Sequence, residues 1–289
     1  MPINWNLDAS SLTNLARHNF RELGKIMNDT KSFTISAIGI QALGLGDFNQ
    51  RYDLVHIPNM GGFRFATNAT NHCNNIIFGL SGIDEIIYGK EVMLWKNLWP
   101  AQKLFIEKEK QNWKQYVDKV RAIHVTTKSE LEEMHKYLGI PYDKMTIIPH
   151  GVDHDFFVPS KNKEKTRTEI LSKLNIPDQK YFLNIGETNF VRKNQERLIK
   201  AFIKCKNSGL TYNLIIAGKH TLELENICNN EPGVFLLDWI TNDELLELIQ
   251  GADVFVFPSI HEGFGMPLVE VMACGIPCIS SNIHSPPEV

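Results

Sequence analysis

Two carboxylates, two glycines and two prolines fall within the segment Pro258-Ser259-Ile260-His261-Glu262-Gly263-Phe264-Gly265-Met266-Pro267-Leu268-Val269-Glu270, where an apolar run ends and a helical pattern begins. Glu262 belongs to the loop and Glu270 lies about one turn into the helix, so both carboxylates can face one crevice. Gly263 and Gly265 let the backbone approach a ligand closely. Pro267 suits the first helical turn, where an N–H would have no intrahelical partner anyway. The free amides at such a helix start form a natural seat for phosphate or sugar oxygens. The same residues also describe a Gly-rich strand-to-helix turn with two solvated glutamates. Residue types alone leave both readings open.

Either reading requires a buried strand before the segment and a sheet around it. The chain beyond residue 180 supplies both. Apolar, β-rich runs at Tyr181–Ile185, Asn213–Ala217, Val234–Leu237, Val254–Phe257 and Pro277–Ser280 predict strands. Amphipathic stretches at Gln195–Lys206, Leu222–Cys228, Asp243–Gln250 and Leu268–Cys274 predict the helices between them. The first half alternates less cleanly. It has a helical pattern at Leu12–Ile26, strands at Phe33–Ile38, Leu54–Ile57 and Ile76–Phe78, and a charged helical stretch from Trp95 to Val120. Ala122–Thr126 (strand), Ser129–Leu138 (helix) and Met145–Ile148 (strand) follow. The polar, Lys-rich stretch Pro159 to Thr168 has the composition of a hinge or linker. The expectation is an α/β chain of two Rossmann-like, doubly wound domains, 1–155 and 156–289, facing across a cleft at the carboxyl ends of their strands.

Composition narrows the classes. Thirty basic residues against 33 acidic give a net charge of −3, which announces no nucleic-acid surface, although a balanced total can hide a basic face. Five scattered cysteines argue against a disulfide framework and for a reducing compartment. Cys274 and Cys278 have the spacing of a metal pair, but with no second pair nearby they read as two small buried thiols. The N-terminus lacks the basic and apolar regions of a signal peptide, and no apolar run reaches spanning length. A cytoplasmic location is expected, with any membrane contact peripheral. Trp95, Leu98, Trp99, Phe105 and Trp113 interleave with lysines and suit either a membrane interface or ordinary inward packing.

The segment ending at Glu270 resembles the Glu-x7-Glu signature of the retaining glycosyltransferases of family 4, which have the two-domain GT-B fold. The flanking Pro258-Ser259 and the stretch Met272 to Pro277 extend the match. In order, Ile148-Pro149-His150-Gly151-Val152-Asp153 is similar to that family's inter-domain turn. Gly186 through Arg192-Lys193-Asn194 is similar to its donor-phosphate loop, and Ile216-Ala217-Gly218 to the end of its next strand. The likeness is strong from about residue 125 onward and weak before it.

The resemblance implies that Glu270 binds the ribose hydroxyls of a nucleotide and that Glu262 lies near the transferred sugar. It implies that Gly263, Phe264, Gly265 and Met266 present amides to the sugar and diphosphate, and that Lys193 neutralises the leaving diphosphate, as lysines commonly do for phosphate. Arg192 is either a second phosphate contact or a solvated helix-start cation. The base should lie against Leu237-Asp238-Trp239-Ile240-Thr241, largely on backbone groups. Two departures stand out: Glu187 occupies a position that many members give to arginine, and no histidine follows Ile76-Ile77-Phe78, where a His-Asp pair is common. His56, at a strand end, either faces the cleft or is structural, and His124 reads as structural. The family's Gly-rich acceptor loop and its closing helices are not evident, so the resemblance implies a chain short at both ends, the second domain truncated.

The implied reaction moves a hexose from a UDP-, GDP- or ADP-sugar to a hydroxyl acceptor, be it a glycan, a lipid-linked sugar or a protein, with retention of configuration. No further cofactor is implied. No Asp-x-Asp motif stands on a suitable loop, so the site is expected to work without a metal, positive side chains doing that work. The rival readings are a non-catalytic descendant that binds a sugar nucleotide or a protein partner, and GT-B relatives such as epimerases and phosphorylases. The last would need a pyridoxal-phosphate lysine, for which the sequence has no signature.

Overall fold

The computed structural model describes residues 53–57, 70–71, 73–79, 111, 117–186, 191–220, 222–228, 231–238 and 240–289. The helix expected at Leu12–Ile26, the strand at Phe33–Ile38 and the aromatic residues from Trp95 to Trp113 lie outside them. The chain divides into two units: Met1–Leu80 with Asn112–Ile123, and Ser81–Gln111 with His124–Val289.

β1 (Val55–Ile57) pairs in parallel with β2 (Ile76–Gly79). Together with β3 (Ala122–Val125) and β4 (Met145–Ile147) they form a sheet of order β1-β2-β3-β4. Ile76 and Phe78 on β2, and Ile123 and Val125 on β3, are fully buried, and their spacing of two puts each pair on one face of its strand. Between β3 and β4 runs α1 (Lys128–Leu138). The Thr127 side chain caps its start by accepting from the Glu130 amide, and Gly139 ends it in a left-handed conformation (φ 70°).

The second unit holds a fully parallel five-stranded sheet of order β7-β6-β5-β8-β9. Its strands are β5 (Tyr181–Ile185), β6 (Asn213–Ala217), β7 (Val234–Leu237), β8 (Val254–Phe257) and β9 (Cys278–Ser280). They alternate with α3 (Gln195–Asn207), α4 (Leu222–Cys228), α5 (Asn242–Gly251) and α6 (Met266–Ala273). The period of two along β6 explains the layers. Leu214 and Ile216 pack with Ile199, Phe202 and Leu224 on one face; Ile215 and Ala217 join Leu183, Phe255, Phe257, Leu248 and Val271 on the other. Strand order reverses between β5 and β8. At such a switch point the following loops part to opposite faces and open a crevice beyond the strand ends. The loops after β5 and β8 are the ones that carry Lys193 and Glu262.

The linker expected at Pro159–Thr168 is a correction. Residues 163–173 form α2 (Lys163–Lys173), whose start Asn162 caps by accepting from the Lys165 amide at 3.1 Å. Only two of its side chains, Ile170 and Leu171, are buried, so the apolar stripe that signals an amphipathic helix is nearly absent. α2 packs closely on α5, and Gly251 permits the approach. A Cβ there would stand 2.8 Å from the Tyr181 hydroxyl and 3.0 Å from the Arg167 Cα. The Tyr181 hydroxyl is itself committed, donating to the Leu248 carbonyl at 2.6 Å. Gly251→Ala is therefore expected to destabilise the protein by about 1–3 kcal/mol. Gly151→Ala, whose Cβ meets nothing within 4 Å, should stay within about 0.5 kcal/mol. Urea midpoints of the two variants check the contrast.

Candidate functional site

Side-chain amides stitch the loop after β5 to the loop after β8. The buried Asn184 donates to the Val256 carbonyl at 2.8 Å, and Gln195 donates to Asn184 Oδ1 at 2.9 Å and to the Gly186 carbonyl at 3.0 Å. Asn194 adopts a left-handed conformation (φ 57°) and donates to the Pro258 carbonyl at 3.0 Å. The Ile260 amide donates to the Arg192 carbonyl at 2.8 Å. Residues far apart in the chain thereby become one rigid surface at the switch point.

Glu262 is 8% exposed. It accepts from Arg192 Nη1 at 2.8 Å through one oxygen and from Lys193 Nζ at 2.6 Å through the other. A carboxylate this buried requires such partners, and short charge-assisted bonds are the strong kind. Arg192 also reaches the His261 carbonyl at 3.3 Å, and Lys193 Nζ lies 5.3 Å from the centroid of the Phe257 ring. The lysine stem runs beside Gly186, where a Cβ would sit 3.5 Å from its Cδ and Cε. Glu262 thus holds two cations together at the end of β8.

Beyond it, the Gly263 carbonyl accepts from Ser285 Oγ at 2.7 Å, Thr126 Oγ1 at 3.1 Å and Thr127 Oγ1 at 3.4 Å. Glu288 anchors the same C-terminal segment to α1 by accepting from the Lys128 and Ser129 amides, each at 2.7 Å. Burial works to raise the Glu288 carboxyl, but the bonds from Ser129 and Lys128 outweigh it and hold it below its ordinary value. Phe264 is buried, with the His150 ring edge-on at 5.2 Å. Gly265 begins α6 in a left-handed conformation (φ 107°) with no side-chain cap. Pro267 has no N–H and the Leu268 amide donates to the Gly265 carbonyl at 2.8 Å, so in this first turn the Met266 amide is the one in place for a ligand.

Glu270 lies one turn on. Its carboxylate is half-buried, has no hydrogen-bond partner among the described residues, and is pushed by burial up to about 7. Burial also raises the Cys274 and Cys278 thiols to about 11, with Glu270 adding to the effect on Cys274. Both are therefore protonated and poor metal ligands at neutral pH.

The remaining expected residues are spread out. Asp238 is exposed just after β7, Ile240 packs against the core, and Trp239 and Glu187 lie outside the described residues. His56 is exposed on β1, in the other unit. Burial lowers the pKa of His124. Asp153 Oδ1 accepts from the Asp155 and Phe156 amides and so closes the turn after Gly151. Sequence reasoning missed Thr126, Thr127 and Ser285, whose hydroxyls reach the Gly263 carbonyl from distant parts of the chain. His150 stood within a recognised turn but was not assigned to the site.

Residues 166–289 match the family model "Glycosyl transferases group 1" and residues 26–156 match "Glycosyltransferase Family 4". Between them the two take in most of the chain, and its parallel sheets share the GT-B fold of solved structures. It is similar to the serotype-specific mannosyltransferase WbdA of Escherichia coli, at 32% identity over 60% of this chain and 22% of that protein. It is also similar to the MMP alpha-(1->4)-mannosyltransferase of Mycolicibacterium hassiacum, at 23% identity over 90% of this chain and 60% of that one. The matches thus span less than two thirds of these relatives. Among solved structures, Anabaena HepE in complex with UDP-glucose shares the fold, with a TM-score of 0.63 and 16% identity over 92% of this chain and 72% of that one.

The two glutamates should respond oppositely to neutralisation. Glu262→Gln strands two half-buried cations and is expected to cost on the order of 2–4 kcal/mol. The raised Glu270 carboxyl keeps its proton longer in the folded than in the unfolded chain, so its contribution is full below about 4.5 and is lost as pH rises through about 7. Glu270→Gln should therefore stabilise the ligand-free protein by about 1–3 kcal/mol at pH 8 and scarcely at pH 4.5. Denaturant melts at the two pH values decide it.

Proposed function

We propose that the chain transfers a hexosyl group from a nucleoside diphosphate sugar to a hydroxyl acceptor, with retention of configuration. The observation that carries this reading is the convergence of Arg192 and Lys193 on Glu262, in the loop that leads into the uncapped start of α6. A diphosphate bound there meets a backbone amide and two cations. When the bond between the sugar C1 and the diphosphate oxygen breaks, negative charge accumulates on the leaving group, where these groups stand ready without reorganisation. The acceptor oxygen forms the new bond to C1, and its proton leaves with the diphosphate. Glu270, without a protein partner among the described residues, suits the two hydroxyls of a ribose.

Positive side chains do the work that a divalent cation does on diphosphates elsewhere, so added magnesium or manganese should not raise the rate. The names of the relatives make mannosyl the first sugar to test. Release of nucleoside diphosphate from UDP-, GDP- and ADP-sugars tests the activity. Failure with every donor would reduce the chain to a binding protein.

Binding separates the roles of the residues. Ribose hydroxyls donate to an ionised Glu270, so affinity for nucleoside diphosphate should rise with pH through about 7. Glu270→Gln should flatten that dependence and weaken binding at pH 8 at least tenfold, since a charge-assisted bond is worth about 1.5–3 kcal/mol. Lys193→Ala should weaken binding of the diphosphate far more than that of the nucleoside. Calorimetric titration of both ligands reads these effects, and equal losses for nucleoside and diphosphate would refute the assignment of Lys193.

A further inference from the structure

Beside the loop that carries Glu262 lies a second cluster, which the transfer reaction does not use. Glu133 projects from α1, His261 from the loop after β8, and His284 from the segment after β9. Glu133 Oε1 is 3.0 Å from both His261 Nε2 and His284 Nδ1. The two rings stand 4.6 Å apart at 62°, and the three ligating atoms all lie within 4.8 Å of one another. His261 is 1% exposed, so the cluster is set into the protein.

We propose that Glu133, His261 and His284 form a binding site for a single zinc ion. Two imidazole nitrogens and one carboxylate oxygen are a donor set zinc accepts, and three protein ligands leave its fourth tetrahedral position to water. Zinc bonds of about 2.0–2.2 Å place neighbouring ligand atoms roughly 3.3–3.5 Å apart. The two separations of 3.0 Å from Glu133 need a few tenths of an ångström of opening, and the two imidazole nitrogens, which lie within 4.8 Å of each other, must settle to the same spacing by turning their rings. Binding takes both imidazoles in their neutral form, with the lone pairs of His261 Nε2 and His284 Nδ1 on the metal.

The backbone at His284 is left-handed (φ 54°), a conformation that histidine adopts more readily than most non-glycine residues. The next residue, Ser285, is locked by its bonds to Gly263 and Thr127, which keeps the imidazole directed at Glu133. Zinc here would clasp α1 and the segment after β9 to the loop that carries Glu262. It would stiffen that loop without touching the diphosphate, and the inference does not depend on the transfer reaction.

The test uses the full chain, stripped by chelator dialysis and titrated with zinc by calorimetry, then with cobalt(II) as a spectroscopic probe. One equivalent of zinc should bind, the melting temperature should rise, and cobalt should show the intense visible bands of a four-coordinate ion. His284→Ala and Glu133→Gln should each weaken zinc binding at least tenfold and abolish the thermal shift. His154→Ala, an exposed histidine on a turn, should change nothing. Absence of saturable zinc binding to the unsubstituted chain would overturn the proposal, whatever the variants do. So would undiminished affinity in His284→Ala, or the weak spectrum of six-coordinate cobalt.

Discussion

A carboxylate drawn out of water at the end of a parallel strand must be met by cations, and the rest of the site follows from how Glu262 meets that demand. Its two oxygens are taken by Arg192 and Lys193, which come from the loop after β5, some 70 residues earlier in the chain. The pairing is possible because β5 and β8 are neighbours in the sheet. It fixes the cations next to the start of α6, so that charge, amide and crevice coincide. Removing the carboxylate would leave two poorly solvated cations facing each other, which is why this contact governs both stability and the shape of the site.

The loop is held from its other side as well. Gly263 turns its carbonyl toward three hydroxyls, two from the N-terminal end of α1 and one from the segment after β9. Glu288 caps α1 from that same segment. Glu262 and its neighbour Gly263 are therefore fixed from opposite directions. Glu270 contrasts with them: it is half-buried, unpaired among the described residues and raised toward neutrality. A group desolvated at a cost and left without a protein partner is what a binding site for hydroxyls needs before its ligand arrives.

The five strands of the second sheet, the helices between them and the parallel order were legible in the sequence, because apolar runs of four or five residues between amphipathic segments admit few other folds. α2 was not legible, since only Ile170 and Leu171 of its eleven residues are buried and its lysines and glutamates read as solvated linker. The candidate site was half legible. Glu262, Glu270, the glycines and Lys193 stand in recognisable local patterns, which their resemblance to a family motif ties to ligand binding. Thr126, Thr127 and Ser285 do not, because a hydroxyl that serves a distant carbonyl leaves no mark on its neighbours in the chain.

The choice between a bland strand-to-helix turn and a ligand-binding one could not be made from residue types, since both need the same glycines and proline. Local sequence determined that the chain would turn there, start a helix and carry two carboxylates, because backbone freedom, capping and periodicity are properties of adjacent residues. Only the tertiary structure decided what those carboxylates are. One became the buried counter-ion of two cations and the other a desolvated acid without a partner among the described residues, because solvation and charge pairing depend on groups that the fold brings together from sequence positions far apart.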